Sequence, residues 1–232
     1  MFKQAIIGII ILSTVAIFQS SQSVGQDNSG ATISKTGSAD NRTSLQVSAV
    51  PVVNENQELM LREDDQVMVA TTQMFAEECA AVLERWVNTQ EISEGKLFSF
   101  LYYPKPNTNP PRFTTDYDTL SDRDIQPILE KYLKAQPTVI FATLSDRNGY
   151  TPTHNLKYSK KITGDWAKDL LGNRTKRIFA DKTGLASARN QKPYLFQTYK
   201  RDTGQLMTDL SAPVYVKGRH WGCVRIGYFR TN

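Results

Sequence analysis

The chain has 232 residues, of which 40% are hydrophobic and 22% charged, and a net charge of +5. That length fills one ordinary hydrophobic core and, once polar ends are set aside, leaves little for a second domain. Its two cysteines and two histidines offer no CxxCH for haem attachment and no zinc-like spacing, so neither a cofactor nor a metal is expected.

The charge is unevenly spread. Met1 to Leu144 holds 11 basic against 17 acidic residues, a net −6, whereas Ser145 to Asn232 holds 17 against 6, a net +11. The last third either meets an anionic partner or packs beside the acidic part and neutralises it. Its basic residues are interspersed in strand-like sequence with no aromatic stacking motif, so nucleic acid is not an expected partner.

Residues 1–25 have the form of an export signal. Lys3 precedes the apolar run Ala5–Phe18, and "SVG" ending at Gly25 supplies small residues for cleavage. The run is shorter than the roughly 20 residues of a comfortable span, so a cleaved signal is favoured over a retained anchor. Residues 26–53 are polar and predict a disordered linker. Residues 54–96 lack proline, and glycine enters only at Gly95. Their apolar residues recur at Met60, Val67, Met74 and Ala81, and again at Phe75, Cys79, Val82, Leu83 and Trp86. That spacing predicts a long amphipathic helix with Asn54 as N-cap and Gly95 as stop, in which "LREDDQ" is a candidate break.

Four prolines in "PKPNTNPPR" predict an irregular connection. A second helix follows, with Ile125, Leu129 and Leu133 at four-residue steps. "TVIFATL" then reads as a buried strand, "DRNG" as a turn and "YTPTHN" as its partner strand. "AKDLLGNRTKRIF" is helical only in pieces because Gly172 interrupts it. Two hairpins close the chain, around "RDTG" and "KG". The fold class is α+β: a long N-terminal helix, then 97–232 as one domain with an antiparallel sheet of five or six strands and helices on one side. Cys79 and Cys223 either pair as a disulfide or remain buried thiols.

"DRNGYTPTHN", "GNRTKRIFADKTGLASARN", "PYLFQTYKRDTGQLMTDLSAPVYV" and "GRHWGCVRIGY" resemble the extracytoplasmic sensor region of one group of bacterial methyl-accepting chemotaxis proteins. The resemblance covers about residues 97–228 and rests on long, ordered blocks. It implies a PAS-like or Cache-like sensor fold, with small ligands held between the sheet and the segments that cross it. Receptors of that family continue into a second membrane helix, a HAMP-type linker and a cytoplasmic signalling coiled coil. This sequence stops four residues after Tyr228, so the expectation is a sensor region acting through a partner, in the periplasm or anchored at its membrane.

Seven residues are candidate ligand-binding groups. His154 and Asn155 follow Pro152 at the end of a strand and offer hydrogen-bonding groups. Arg174 and Arg177, three apart, point to similar sides of a helical turn and can clamp a carboxylate or phosphate. Gln197 and Tyr199 share a strand face with Leu195 and would be the polar groups in an apolar wall; Trp221 ranks last. The expected function is non-enzymatic binding of a small anionic metabolite, with a membrane receptor or a second copy of the chain paired through the long helix. An interaction protein with an empty, vestigial pocket is the second reading, and a small hydrolase or polyanion-binding protein the third.

Overall fold

A computed structural model describes residues 61–200 and 206–230. The predicted export signal (1–25), the linker (26–53), the predicted helix start at Asn54 and the "RDTG" turn lie outside the described residues. Helix α1 runs Glu63–Asn88, so its 26 residues span about 39 Å at 1.5 Å each. It starts within "LREDDQ", where Glu63, Asp64 and Asp65 occupy the first turn and complement the helix dipole. Asp65 also accepts a hydrogen bond from the Arg62 N–H at 3.2 Å. It ends before Gln90, whose left-handed backbone (φ 61) leaves the helical path. The stop is therefore Asn88, and Gly95 falls within the short helix α2 (Glu94–Leu97).

Next come a two-residue ladder of β1 (Tyr103–Pro104) with β2 (Phe113–Thr114), then a helical run of α3 (Asp118–Leu120), a π-helical turn (Ser121–Ile125) and α4 (Gln126–Leu133). The second half holds β3 (Val139–Asp146), β4 (Tyr150–Thr151), a 3₁₀ turn (Leu156–Tyr158), α5 (Trp166–Gly172), β5 (Arg177–Ile178) and α6 (Lys182–Arg189). The chain closes with β6 (Leu195–Lys200), β7 (Leu206–Val216) and β8 (Arg219–Tyr228). The main sheet has four strands in the order β3-β8-β7-β6, each pair antiparallel.

β6 and β7 pair antiparallel, as do β7 and β8, and of the two expected turns the second lies within the described residues. Lys217 and Gly218 connect β7 to β8 with φ of 50° and 74°, the left-handed pair that matches strand twist in a two-residue hairpin. The expected count of five or six strands is corrected to four, because "YTPTHN" does not pair with β3. Pro152 has no N–H to donate, and β4 turns away to pair with β5. Asn155 takes over at the sheet edge: its Oδ1 accepts the Ala142 N–H at 2.9 Å and its Nδ2 donates to the Leu129 carbonyl at 2.9 Å.

Strand register assigns the two faces of the sheet, since paired residues project together and neighbours alternate. Ala142, Leu144, Leu210, Ala212, Val214, Val224, Ile226 and Tyr228 belong to one hydrophobic cluster with Met68, Phe75, Cys79, Leu83 and Trp86 of α1 and Leu129 of α4. The opposite face carries Phe141 and Thr143 of β3, Cys223, Arg225 and Gly227 of β8, Asp209 and Ser211 of β7, and Gln197 and Tyr199 of β6. That face is covered by the crossing segment that includes α6, which contacts β7 and β8. Helices thus lie on both sides rather than one. Cys79 and Cys223 project on opposite sides of the sheet and are free thiols, both buried.

Candidate functional site

A cavity of about 450 Å³ opens between the polar face of the sheet and the crossing segment. Phe141, Thr143, Arg225 and Tyr199 rise from the sheet, and Thr151, His154, Arg174, Phe179 and the start of α6 at Asp181–Thr183 close the other side. The turn after β3 sets this separation. Asp146 Oδ1 accepts the N–H groups of Asn148 and Tyr150 at 2.9 and 3.0 Å, and Gly149 adopts φ 81. A Cβ on Gly149 would lie 2.4 Å from the Phe179 carbonyl oxygen, so only glycine lets the turn approach the segment just after β5 that carries Phe179.

His154 is 4% exposed. Its Nδ1 accepts the Asn155 N–H at 2.8 Å, which places the ring proton on Nε2 in the neutral form. Burial pushes its pKa well below the usual histidine value, and the positive charges of Arg174, Arg225, Lys157 and Arg177 push it the same way. The ring is held edge-on against Tyr158, 5.0 Å between centroids, and against Phe141 at 6.3 Å. Among the described residues no carboxylate hydrogen-bonds this histidine, the partner that a general base needs for orientation.

Three basic side chains line the cavity: Arg174, Lys182 and Arg225. Arg225 is bound by Asp209, which accepts from Nε at 3.3 Å and closely from the second guanidinium nitrogen. Burial opposes the charge on Arg225, but Asp209 more than offsets it and keeps the guanidinium ionised. Arg174 stacks on Phe179, 5.1 Å from guanidinium carbon to ring centroid. Thr151 shares a 2.8 Å hydrogen bond with Ser145. Thr143, 4% exposed, has a buried Oγ1 with no hydrogen-bond partner among the described residues. The cavity therefore presents an N–H from His154, a hydroxyl from Thr143 with no partner among the described residues, the cations of Arg174 and Lys182 and the carboxylate of Asp181, between the rings of Phe141 and Phe179.

Of the seven residues singled out from sequence, the structure brings His154, Arg174 and Tyr199 to this cavity. Asn155 is beside it but spent on β3 and α4. Arg177 stacks on Phe179 at 5.2 Å and donates to the Leu170 carbonyl at 3.2 Å. Burial, with Arg174 nearby, lowers its pKa to about 10, and it does not line the cavity. Gln197 projects from the cavity face of β6, as the alternation predicts, yet its Nε2 donates to the Thr183 carbonyl and Ser187 Oγ and fixes α6. Trp221 lies in the core, donating to the Leu97 carbonyl at 2.9 Å and meeting Tyr117 edge-on.

Sequence reasoning missed Phe141, Thr143, Phe179 and Arg225. Thr143 and Ser145 are polar alternates in an otherwise apolar strand, and Arg225 is a charge inside a buried one; both patterns mark a face that meets something polar. Among the described residues no group of three or more His, Cys, Asp or Glu is placed to hold a metal, and no helix is long and apolar enough to cross a membrane.

No family model matches the chain, and no curated protein does. Among solved structures, it is similar to an extracellular ligand binding receptor from Desulfohalobium retbaense DSM5692, at 16% identity and a TM-score of 0.32. The match covers 72% of this chain and 25% of that one, so the chain spans about a quarter of that receptor's length. The functional reading rests instead on the cavity.

Proposed function

We propose that the chain is an extracytoplasmic binding domain of PAS or Cache type that senses a small anionic metabolite and signals through a partner, as in chemotaxis receptors. The cavity carries this reading: a space of about 450 Å³ suits a ligand of metabolite size. Its chemistry suits a carboxylate. Arg174 supplies positive charge, and neutral His154 donates without competing for the proton. Thr143 has a buried hydroxyl whose hydrogen bond is unmade, a cost of about 1–3 kcal/mol that a bound polar group removes. The reading is of binding: among the described residues no carboxylate orients the histidine as a general base would require.

The test is a thermal-shift series on the full chain with short carboxylates and amino acids, each beside its uncharged amide. A ligand at 100 times its Kd stabilises by about 2.7 kcal/mol, a rise of roughly 5–10 °C in a domain of this size. Carboxylates should raise Tm, amides should not, and Arg174→Ala should abolish the rise. No shift with any compound, from protein that melts cooperatively, would favour an interaction protein that pairs through α1 and keeps only a vestigial pocket.

A further inference from the structure

A second cleft, sharing no residue with the first, lies at the end of the sheet where β8 begins. It measures about 540 Å³ and is lined by Phe98, Arg147, Asn148, Arg189, Gln191, Arg219 and His220. Three cations converge there and no carboxylate lines it. The fold, not sequence proximity, brings them together. The Arg147 N–H donates to the Trp221 carbonyl at 3.0 Å, setting that arginine beside the start of β8. The Tyr215 hydroxyl reaches the Gln191 carbonyl at 3.4 Å, drawing the end of α6 and Arg189 to the same hairpin.

Two of the guanidinium groups are ordered by aromatic rings, and one of these also by an acid. Arg147 lies over Phe100 and Arg219 over Phe98, each 4.0 Å from guanidinium carbon to ring centroid. Stacking of this kind holds the plane of the group and leaves its edge N–H donors pointing outward. Arg219 uses one of them on Glu94 at 2.6 Å. Arg147 and Arg189 have no carboxylate partner among the described residues. The neighbouring Asp146 does not serve them: it accepts from the Tyr102 and Tyr117 hydroxyls and from two backbone amides. His220 adds a buried Nε2 with no hydrogen-bond partner among the described residues. Three like charges with one carboxylate, Glu94, beside them repel one another, and an anion that bridges them relieves that repulsion.

We propose that this arginine cleft is a second anion site, specific for a ligand with two or more carboxylate or phosphate groups. A single carboxylate engages one guanidinium bidentately, whereas three arginines around an open cleft reward an anion that spans them. Occupation would also join α6, the turn after β3 and the β7–β8 hairpin.

The experiment is calorimetric titration of the full chain with citrate and, separately, with inorganic pyrophosphate, in low and in moderate salt. Saturable binding of at least one is expected, weakening with salt; which one binds decides between a carboxylate and a phosphate source. Arg147→Ala with Arg189→Ala should weaken it by about tenfold or more, while Arg174→Ala, in the other cavity, should change it less than twofold. Both replaced side chains are exposed, so the melting temperature should hold; if it falls, Arg189→Gln alone is used, with about a threefold loss expected. The proposal is overturned if neither anion binds saturably, or if affinity ignores Arg147 and Arg189. Loss of binding through Arg174→Ala instead would place the anion in the sheet cavity. A failed carboxylate series with intact citrate binding would sink the first site and leave this one standing.

Discussion

Asp209→Ala tests the electrostatic account of the cavity floor. Asp209 is fully buried and its partner Arg225 has an 11% exposed side chain, so removing the carboxylate leaves a cation uncompensated against the sheet. Breaking a buried pair costs about 3–5 kcal/mol, and the opening of Arg225 toward the cavity places this one near the low end, at about 3. At roughly 3 °C per kcal/mol for a domain of this size, Tm should fall by about 9 °C. Removing both charges with Asp209→Ala and Arg225→Met should recover most of the loss, since no unpaired charge remains. Urea unfolding of the two single variants and the double variant measures the coupling directly. In Asp209→Asn, Arg225 is released toward the cavity and the carboxylate-induced shift should grow. A double variant as unstable as Asp209→Ala would refute the reasoning, because the loss would then come from packing and not from the stranded charge.

Three further outcomes follow from the same structure. An unfolded histidine takes up a proton near pH 6.5, while His154 in the fold is held well below that. The unfolded chain then binds more protons as pH falls through 6.5, and stability is lost there at about 1.4 kcal/mol per pH unit until the folded pKa is reached. His154→Gln should reduce the slope of stability between pH 6.5 and 5 in denaturant melts, leaving the part from His220, which burial also holds below the usual histidine value; an unchanged slope would show that the ring is not buried neutral. Thr143→Val replaces the unpartnered hydroxyl by a methyl group of similar shape, so the ligand-free protein should gain about 1 kcal/mol while its carboxylate-induced Tm shift shrinks. Should both fall together, Thr143 is a packing residue only. Trp86, fully buried and donating to Asp124 Oδ2 at 2.6 Å, should tolerate no charge: Trp86→Asp is expected to cost more than about 3 kcal/mol. A variant with unaltered melting would mean that α1 is not docked on the sheet.

Local pattern made much of the architecture readable. Of the two apolar series in the sequence, Phe75, Cys79, Leu83 and Trp86 form the buried stripe of α1, whereas Val67, Met74 and Ala81 of the other are exposed, since they fall on the face turned from the sheet. "KG" between two alternating runs marks the β7–β8 turn because two left-handed residues suit a two-residue hairpin. The alternation Leu195, Gln197, Tyr199 groups residues that share one face of β6, and of them Tyr199 lines the cavity. "YTPTHN" misled for a local reason as well: its composition is strand-like, but Pro152 lacks the donor that pairing with β3 requires, and Asn155 satisfies the strand edge through its side chain.

The candidate site was only half legible, and the missing half is long-range. His154 and Arg174 stand out as isolated polar residues at the ends of elements. Gln197 is indistinguishable from a ligand group in sequence, and only the positions of Thr183 and Ser187 show that its amide is already used. Trp221 follows the same logic, since the Leu97 carbonyl that it meets lies 124 positions away. Arg225 and Asp209 pair because β7 and β8 are adjacent in register, and Arg147, Arg189 and Arg219 meet because three separate elements end at one place. Periodicity and turn chemistry act over a few residues, so the sequence by itself determined the helix stripe, the hairpins and the strand faces. Which polar groups are satisfied, and which are left to meet a ligand, depends on contacts between distant segments, and only the tertiary structure decided that.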